Sequence, residues 1–336
     1  GTVVTFAKVP ARTGYVNQGW SSKKNSEKAT AKAKCTVNKN ITLYAVQKKA
    51  VQLTFHRCDG STWQKTTLAK GSSYSLPGVR DAEGYTFMGW STKPMQSVSP
   101  QYEAEEKITV NGNVDLYAVV FNRTTETDLT EDQLPQVDIY KYKQVIFVGD
   151  SRTEFMENVL TGMGESATKN VKFVCSAGKG LDWFTTTGWA QLYSIVQHDS
   201  NSILSKKTAV IFNFGVNDLS KSADYAEYYN WIAPQLKSKG CELYFMSVNP
   251  VNRLMLPNAG RADRSEAAVR SFNQYMKANL SSAYTYIDMY SYLKSTGYSF
   301  ASDHYGTGTV DDGLHYTTRT YKRIFAKCMD SLRVPA

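Results

Sequence analysis

With 336 residues, 42% of them hydrophobic and 12% aromatic, the chain can pack more than one core and is expected to form about two domains. No apolar run approaches the roughly 20 residues that cross a bilayer, so no transmembrane segment is expected. The net charge of +9 is uneven: residues 1–122 carry 16 Lys and Arg against 8 Asp and Glu, and residues 123–336 carry 23 against 22. An excess of this kind either solvates a surface or attracts a polyanion such as an anionic cell-wall polymer. Nucleic acid is not the expected partner, because no basic helix or nucleic-acid motif accompanies the lysines. Gly1 falls inside a strand pattern and no secretion signal precedes it, so the chain reads as a trimmed piece.

The first 120 residues repeat. Gly14-Tyr15, Gly19-Trp20-Ser21 and Lys23 recur as Gly84-Tyr85, Gly89-Trp90-Ser91 and Lys93. Thr36-Val37-Asn38 and Leu43-Tyr44-Ala45-Val46 return as Thr109-Val110-Asn111 and Leu116-Tyr117-Ala118-Val119. Short alternating strands between Gly, Asn and Lys turns predict small β-modules over 1–49 and 50–121, with Trp20, Trp90, Tyr44 and Tyr117 as core residues. These signatures resemble the Listeria-Bacteroides repeat, a β-grasp-like module of bacterial surface proteins. The resemblance implies an extracellular or cell-surface bacterial protein and names no ligand. Cys35 and Cys58 lie in this region, and a disulfide between them stays open. The five cysteines show no C-x-x-C spacing, which argues against a zinc site or a redox pair.

Residues 122–141 are polar and acidic and read as a linker. From there strand and helix patterns alternate over 142–336. Val145–Val148, Val171–Cys175, Ala209–Phe214, Leu243–Val248 and Tyr284–Ile287 are strand runs, with helical stripes between them such as Val269, Phe272, Met276 and Leu280. Five such units predict a mainly parallel five-stranded sheet with helices on both faces, a three-layer α/β/α fold.

The chemistry is expected at the strand ends. Gly149-Asp150-Ser151 follows the first strand and leaves Ser151 at a helix N-terminus, where free N–H groups suit a developing anion. Ser176-Ala177-Gly178-Lys179-Gly180 follows the second strand, Gly215-Val216-Asn217-Asp218 the third, and Asp311-Asp312-Gly313-Leu314-His315 precedes the last helix. In order and in register with the strand ends, these resemble the four blocks of the SGNH (GDSL-type) hydrolase superfamily. The resemblance implies a flavodoxin-like hydrolase domain. Ser176, where Asn is commoner, and Arg152, where an apolar residue is commoner, depart from the pattern.

An ester carbonyl needs a nucleophile, a base and donors for the oxyanion. Ser151 is the candidate nucleophile, His315 the base and Asp312 the group that orients it. The N–H groups of Ser151 and Gly178 and the amide of Asn217 are the candidate oxyanion donors. Of the other histidines, His56 lies in the repeats, His198 ends a helix pattern, and His304 follows Asp303 directly. Arg152, Lys179, Trp183, Asn249 and Arg253 are candidate substrate contacts, although Trp183 and Phe184 can equally close the core. The scheme requires no metal or other cofactor. The resemblance points to removal of a small acyl group, acetyl above all, from a carbohydrate or cell-wall glycan. Two alternatives stay open: an O-acetyltransferase using the same triad, and a non-catalytic surface adhesion protein.

Overall fold

The computed structural model describes residues 1–31, 34–138, 141–199, 207–302 and 311–332. The chain forms two compact units. One comprises Gly1–Leu76, Trp90–Gln96 and Glu106–Val119; the other comprises Pro77–Gly89, Ser97–Glu105 and Val120–Ala336. No helix among the described residues is long and apolar enough to cross a membrane.

The repeat region is built from strands: β1 (Thr2–Thr5), β2 (Tyr15–Ser21), β3 (Lys34–Val37), β4 (Tyr44–His56), β5 (Thr62–Ala69), β6 (Ser72–Ser75), β7 (Tyr85–Ser91), β8 (Lys107–Val110) and β9 (Val114–Asn122). Its main sheet runs β2-β4-β9-β7, with β5 on β4. In the first unit Trp90 is fully buried and packs on Phe55 at 4.8 Å between ring centroids. Trp20, Tyr44 and Tyr117 are only half-buried, because each sits on a face that the small sheet leaves partly in solvent. Cys35 and Cys58 are unbonded thiols.

The second unit carries a parallel sheet of β10 (Tyr142–Gly149), β11 (Val171–Cys175), β12 (Lys207–Asn213), β13 (Cys241–Met246) and β14 (Tyr284–Ile287), in the order β11-β10-β12-β13-β14. Val145–Val148 of β10, an interior strand, are all 0% exposed, as expected of a strand covered on both faces. Ile146 and Val148 join the core against α2 (Leu181–Trp183), α3 (Trp189–Asp199), α4 (Ser222–Ser238) and α5 (Glu266–Asn279). Phe147, on the opposite face, packs on Phe325 of α7 (Thr318–Ser331), and α1 (Ser151–Met163) packs beside α7. Helix α6 (Met289–Thr296) leads to an antiparallel pair, β15 (Phe300–Ser302) and β16 (Asp311–Tyr316).

Within residues 122–141, read above as a linker, the described residues contribute buried groups to this unit. Leu134 and Val137 are buried, and Glu126 accepts hydrogen bonds from Ser299 (2.6 Å), Arg323 (3.0 Å) and Thr320. An acidic composition conceals this, since the one buried carboxylate is matched by an arginine nearly 200 residues later.

Candidate active site

Ser151 is the first residue of α1 and 6% exposed. Its place follows from Asp150, whose carboxylate caps the helix by accepting from the Arg152 N–H at 3.0 Å. Burial pushes the Asp150 carboxyl up to about 6, although Arg152 pulls the other way. The first turn of a helix holds four N–H groups with no intrahelical partner. Here that of Arg152 goes to the Asp150 side chain, and those of Thr153 and Glu154 to the Asp150 carbonyl at 3.0 Å each. The N–H of Ser151 is left without such a bond among the described residues.

Block two shows the same economy. Ser176 N–H donates to the Gly149 carbonyl (3.3 Å), Ala177 N–H to the Glu154 carboxylate (2.6 Å) and Lys179 N–H to the Ser176 carbonyl (3.3 Å). The amide of Gly178 is not so engaged among the described residues, nor is that of Gly180. A Cβ at Gly178 would meet no protein atom within 4 Å; its φ of +70° is what requires glycine.

Asn217 lies in the turn that follows β12. Its amide nitrogen donates to the Lys179 carbonyl at 2.8 Å, and its oxygen accepts from Arg264 Nη2 at 2.8 Å. With the oxygen committed, the orientation of the amide is set and its second N–H remains available. Arg264 also donates to the Val216 carbonyl at 2.7 Å, and burial lowers its pKa. Asp218 accepts from Leu181 N–H (2.9 Å) and Tyr225 Oη (2.7 Å), so it ties blocks two and three to α4.

Asp312 and His315 lie on β16, where extended residues three apart would point to opposite faces. Gly313, with φ +68°, breaks that alternation. Asp312 Oδ1 then accepts the N–H groups of Leu314 (2.8 Å) and His315 (2.7 Å), while Oδ2 lies 2.5 Å from His315 Nδ1. His315 Nε2 is 2.9 Å from Ser151 Oγ. Asp312 is 0% and His315 3% exposed. Burial pushes the Asp312 carboxyl up, but the bonds from His315 and the two N–H groups outweigh it and hold the pKa low. Burial lowers the His315 pKa, and the pull of Asp312 in the other direction does not offset it. The Phe155 ring stands 4.5 Å from the imidazole, and Arg261 Nη2 lies 3.5 Å from Asp312 Oδ2.

The other candidates disperse. Arg152 is buried and faces inward: Nε donates to the Leu314 carbonyl (3.1 Å), Nη1 to Asn249 (2.9 Å) and Nη2 to Pro250 (2.9 Å). Asn249 is buried beneath it, and its side-chain oxygen has no hydrogen-bond partner among the described residues. Trp183 is half-buried against Phe214, and Phe184 is core. Lys179 is exposed, and the exposed Arg253 pairs with Asp263 at 2.6 Å and Glu105 at 3.3 Å. His56 pairs with Asp115 in the first unit. His304 and the side chain of His198 lie outside the described residues. Arg264, Arg261, Glu154 and Phe155 are absent from the sequence-derived site. Glu154 and Phe155 could have been found as the first turn of α1, whereas nothing in the spacing links Arg264 to Asn217.

The repeat region matches the Listeria-Bacteroides repeat domain over residues 1–46 and 52–119. No curated protein matches the chain. Among solved structures, similarity extends to an acylhydrolase-like protein of Bacteroides fragilis (16% identity, 60% of this chain, 92% of that chain, TM-score 0.39). It extends also to an acetyl xylan esterase, AlAXEase (11%, 56% and 100%, 0.37), and to the catalytic domain of Streptococcus pneumoniae peptidoglycan O-acetyltransferase A (15%, 57% and 92%, 0.35). The model of the GDSL-like lipase/acylhydrolase family matches residues 145–328, more than half of the chain and all four blocks described above, so the chain belongs to that family.

Proposed function

We propose that the chain is a serine esterase of the bacterial surface or extracellular space that removes a small acyl group, acetyl, from a carbohydrate or cell-wall glycan. The observation that carries this reading is the line Ser151 Oγ, His315, Asp312, at 2.9 and 2.5 Å. Ser151 Oγ attacks the ester carbonyl as its proton passes to His315 Nε2, and Asp312 steadies the resulting imidazolium. The carbonyl oxygen, now an oxyanion, takes the N–H groups of Ser151 and Gly178 and the spare amide N–H of Asn217. Collapse expels the sugar oxygen, which receives the proton from His315, and leaves an acyl-serine. Water then repeats the sequence and releases the acid.

Acetate release from a panel of O-acetylated glycans, with and without acceptor sugars, tests this. Wild type should release acetate and Ser151→Ala should not. Acetyl appearing on the acceptor would replace hydrolysis by transfer, and equal activity of Ser151→Ala would refute the scheme.

We further infer that the basic repeats bring the enzyme to an anionic wall polymer. The reading is supported by the charge of residues 1–122 and by exposed Lys23, Lys24, Lys28, Lys65 and Lys70. Exposed charges are screened beyond roughly 8 Å at physiological salt, so full-length Ser151→Ala protein should sediment with purified walls at low salt and be released as salt rises. Protein that stays in the supernatant at low salt would make the charge a matter of solvation alone.

A further inference from the structure

The loop after β13 meets the His315 strand on one side. The N–H of Asn252 donates to the Gly313 carbonyl at 2.9 Å, and a Cβ on Gly313 would stand 2.6 Å from the Asn252 carbonyl. No slack separates them. Gly313 is the left-handed residue that turns Asp312 toward His315, so whatever fixes Asn252 fixes that turn.

The side chain of Asn252 reaches a different part of the same compact unit. Its Nδ2 donates to Asp81 Oδ1 at 2.8 Å and to the Val79 carbonyl at 3.1 Å. Both acceptors lie in Pro77–Gly89, a segment of the second repeat. Asp81 is itself held: its side chain is 0% exposed, Oδ2 accepts from Arg123 Nη2 at 2.8 Å, and Oδ1 accepts from Phe87 N–H at 2.9 Å. Arg123 is braced in turn by the Thr86 hydroxyl at 2.9 Å. An anchored carboxylate therefore grips the Asn252 amide, and Asn252 grips the carbonyl between Asp312 and His315.

We propose that Asp81 is a positioning residue for His315, acting through Asn252 and Gly313, so that the second repeat supplies part of the support of the candidate active site. The proposal rests on the esterase reading for its kinetic consequence only. A carboxylate that merely stabilised the fold would, when removed, lower the melting temperature and leave the imidazole of the folded protein undisturbed. One that positions Gly313 must also alter the Asp312–His315 bond.

The test uses the full chain with Asp81→Ala, Asn252→Ala and Asp81→Asn, the last keeping an acceptor oxygen for Asn252 and Phe87. The low-field proton resonance of His315 Nδ1–H is assigned by its loss in His315→Gln and followed together with melting temperature and hydrolysis of p-nitrophenyl acetate. In folded Asp81→Ala and Asn252→Ala the resonance should shift or broaden. Their kcat should fall about 10- to 100-fold, the scale of a small misplacement of reacting groups, with KM within about twofold, and Asp81→Asn should recover part of the loss. Asn252→Ala decides the matter if Asp81→Ala does not fold, since it leaves the Asp81–Arg123 pair intact. A wild-type resonance and kcat in the folded Asn252→Ala protein overturns the proposal. If wild type hydrolyses no ester, the esterase reading fails, and the resonance still decides whether Asp81 positions His315.

Discussion

At His315 two effects compete, and their balance sets a pH profile. Desolvation disfavours the imidazolium, Asp312 favours it, and burial prevails, so the pKa lies below the ordinary value of 6.5. In the proposed scheme the neutral ring is the base, so the rate should rise with pH through that lowered pKa. The acid limb of kcat/KM on a neutral ester should have its midpoint below 6.5, and His315 should remain neutral at pH 7. In Asp312→Asn the favouring charge is gone, and the midpoint should move further toward acid. A limb centred above 6.5 in wild type would show the carboxylate prevailing instead. Arg264 gives a second prediction at this scale. Losing an oxyanion donor lowers kcat by about 10² to 10³, which is the loss expected for Asn217→Ala. Arg264→Ala keeps that donor and removes only what holds the amide oxygen, so its kcat should fall by less while KM changes little. Wild-type kcat in Arg264→Ala would mean that the bond to Lys179 alone orients Asn217.

Among the elements, the loop from Asn249 to Met255 is where supports converge. Arg152 holds its carbonyls from α1, the Tyr316 hydroxyl donates to Pro250, and Glu266 of α5 accepts the Val251 N–H at 3.0 Å. Glu266 is kept ionised although buried, because Lys294 of α6 stands 3.1 Å away and also reaches Glu103 at 2.9 Å and the Met88 carbonyl at 2.9 Å. Breaking a buried pair by removing one partner costs about 3 to 5 kcal/mol. Lys294→Met should lower the unfolding free energy measured by urea titration accordingly; a loss below about 1 kcal/mol would mean that Glu266 and Glu103 take up protons at little cost. These supports also mark where the sequence falls silent. The strands could be read because Val145–Val148 and its counterparts are apolar and short, and the helices because Val269, Phe272 and Met276 keep their period. Ser151 could be proposed because it sits beside a turn at a strand end, and Asp312 and His315 because they stand three apart just ahead of the last helix, although the structure puts both within β16. The supporting contacts of Arg152, Arg264 and Asn252 could not be read, since their partners are backbone carbonyls, one amide or one acid far along the chain, and a carbonyl is the same at every residue. Gly313 is a middle case: its place between Asp312 and His315 is legible, and its left-handed φ is not.

For the whole molecule, the repeat pattern and the compact units do not coincide, and a truncation can be predicted from that difference. The second repeat runs to residue 119, yet Pro77–Gly89 and Ser97–Glu105 belong to the same compact unit as the five-stranded sheet. Cutting at 142, where the hydrolase pattern begins, would take from that unit Asp81, Met88, Glu103, the Ala104 carbonyl that accepts from Arg270 at 2.9 Å, and Glu126. The Phe121 ring, which packs against Gly297, would go as well. Arg323 would lose its buried carboxylate Glu126, at about 3 to 5 kcal/mol; Lys294 would keep Glu266 but lose Glu103 and the Met88 carbonyl, and Asn252 would lose an acceptor at about 1 to 3 kcal/mol. Some of this is relieved where water reaches the uncovered groups. The remainder still compares with the roughly 5 to 15 kcal/mol that holds a domain together. Residues 142–336 alone should therefore melt far below the full chain or fail to fold, whereas residues 44–336, which keep β4 and every segment of the unit, should melt close to it. Circular dichroism melts of the three proteins, with p-nitrophenyl acetate hydrolysis measured on each, check this. If residues 142–336 melt within a few degrees of the full chain and match its kcat, the side chains from 77–126 stabilise nothing, and the boundary at 142 is the one the fold respects.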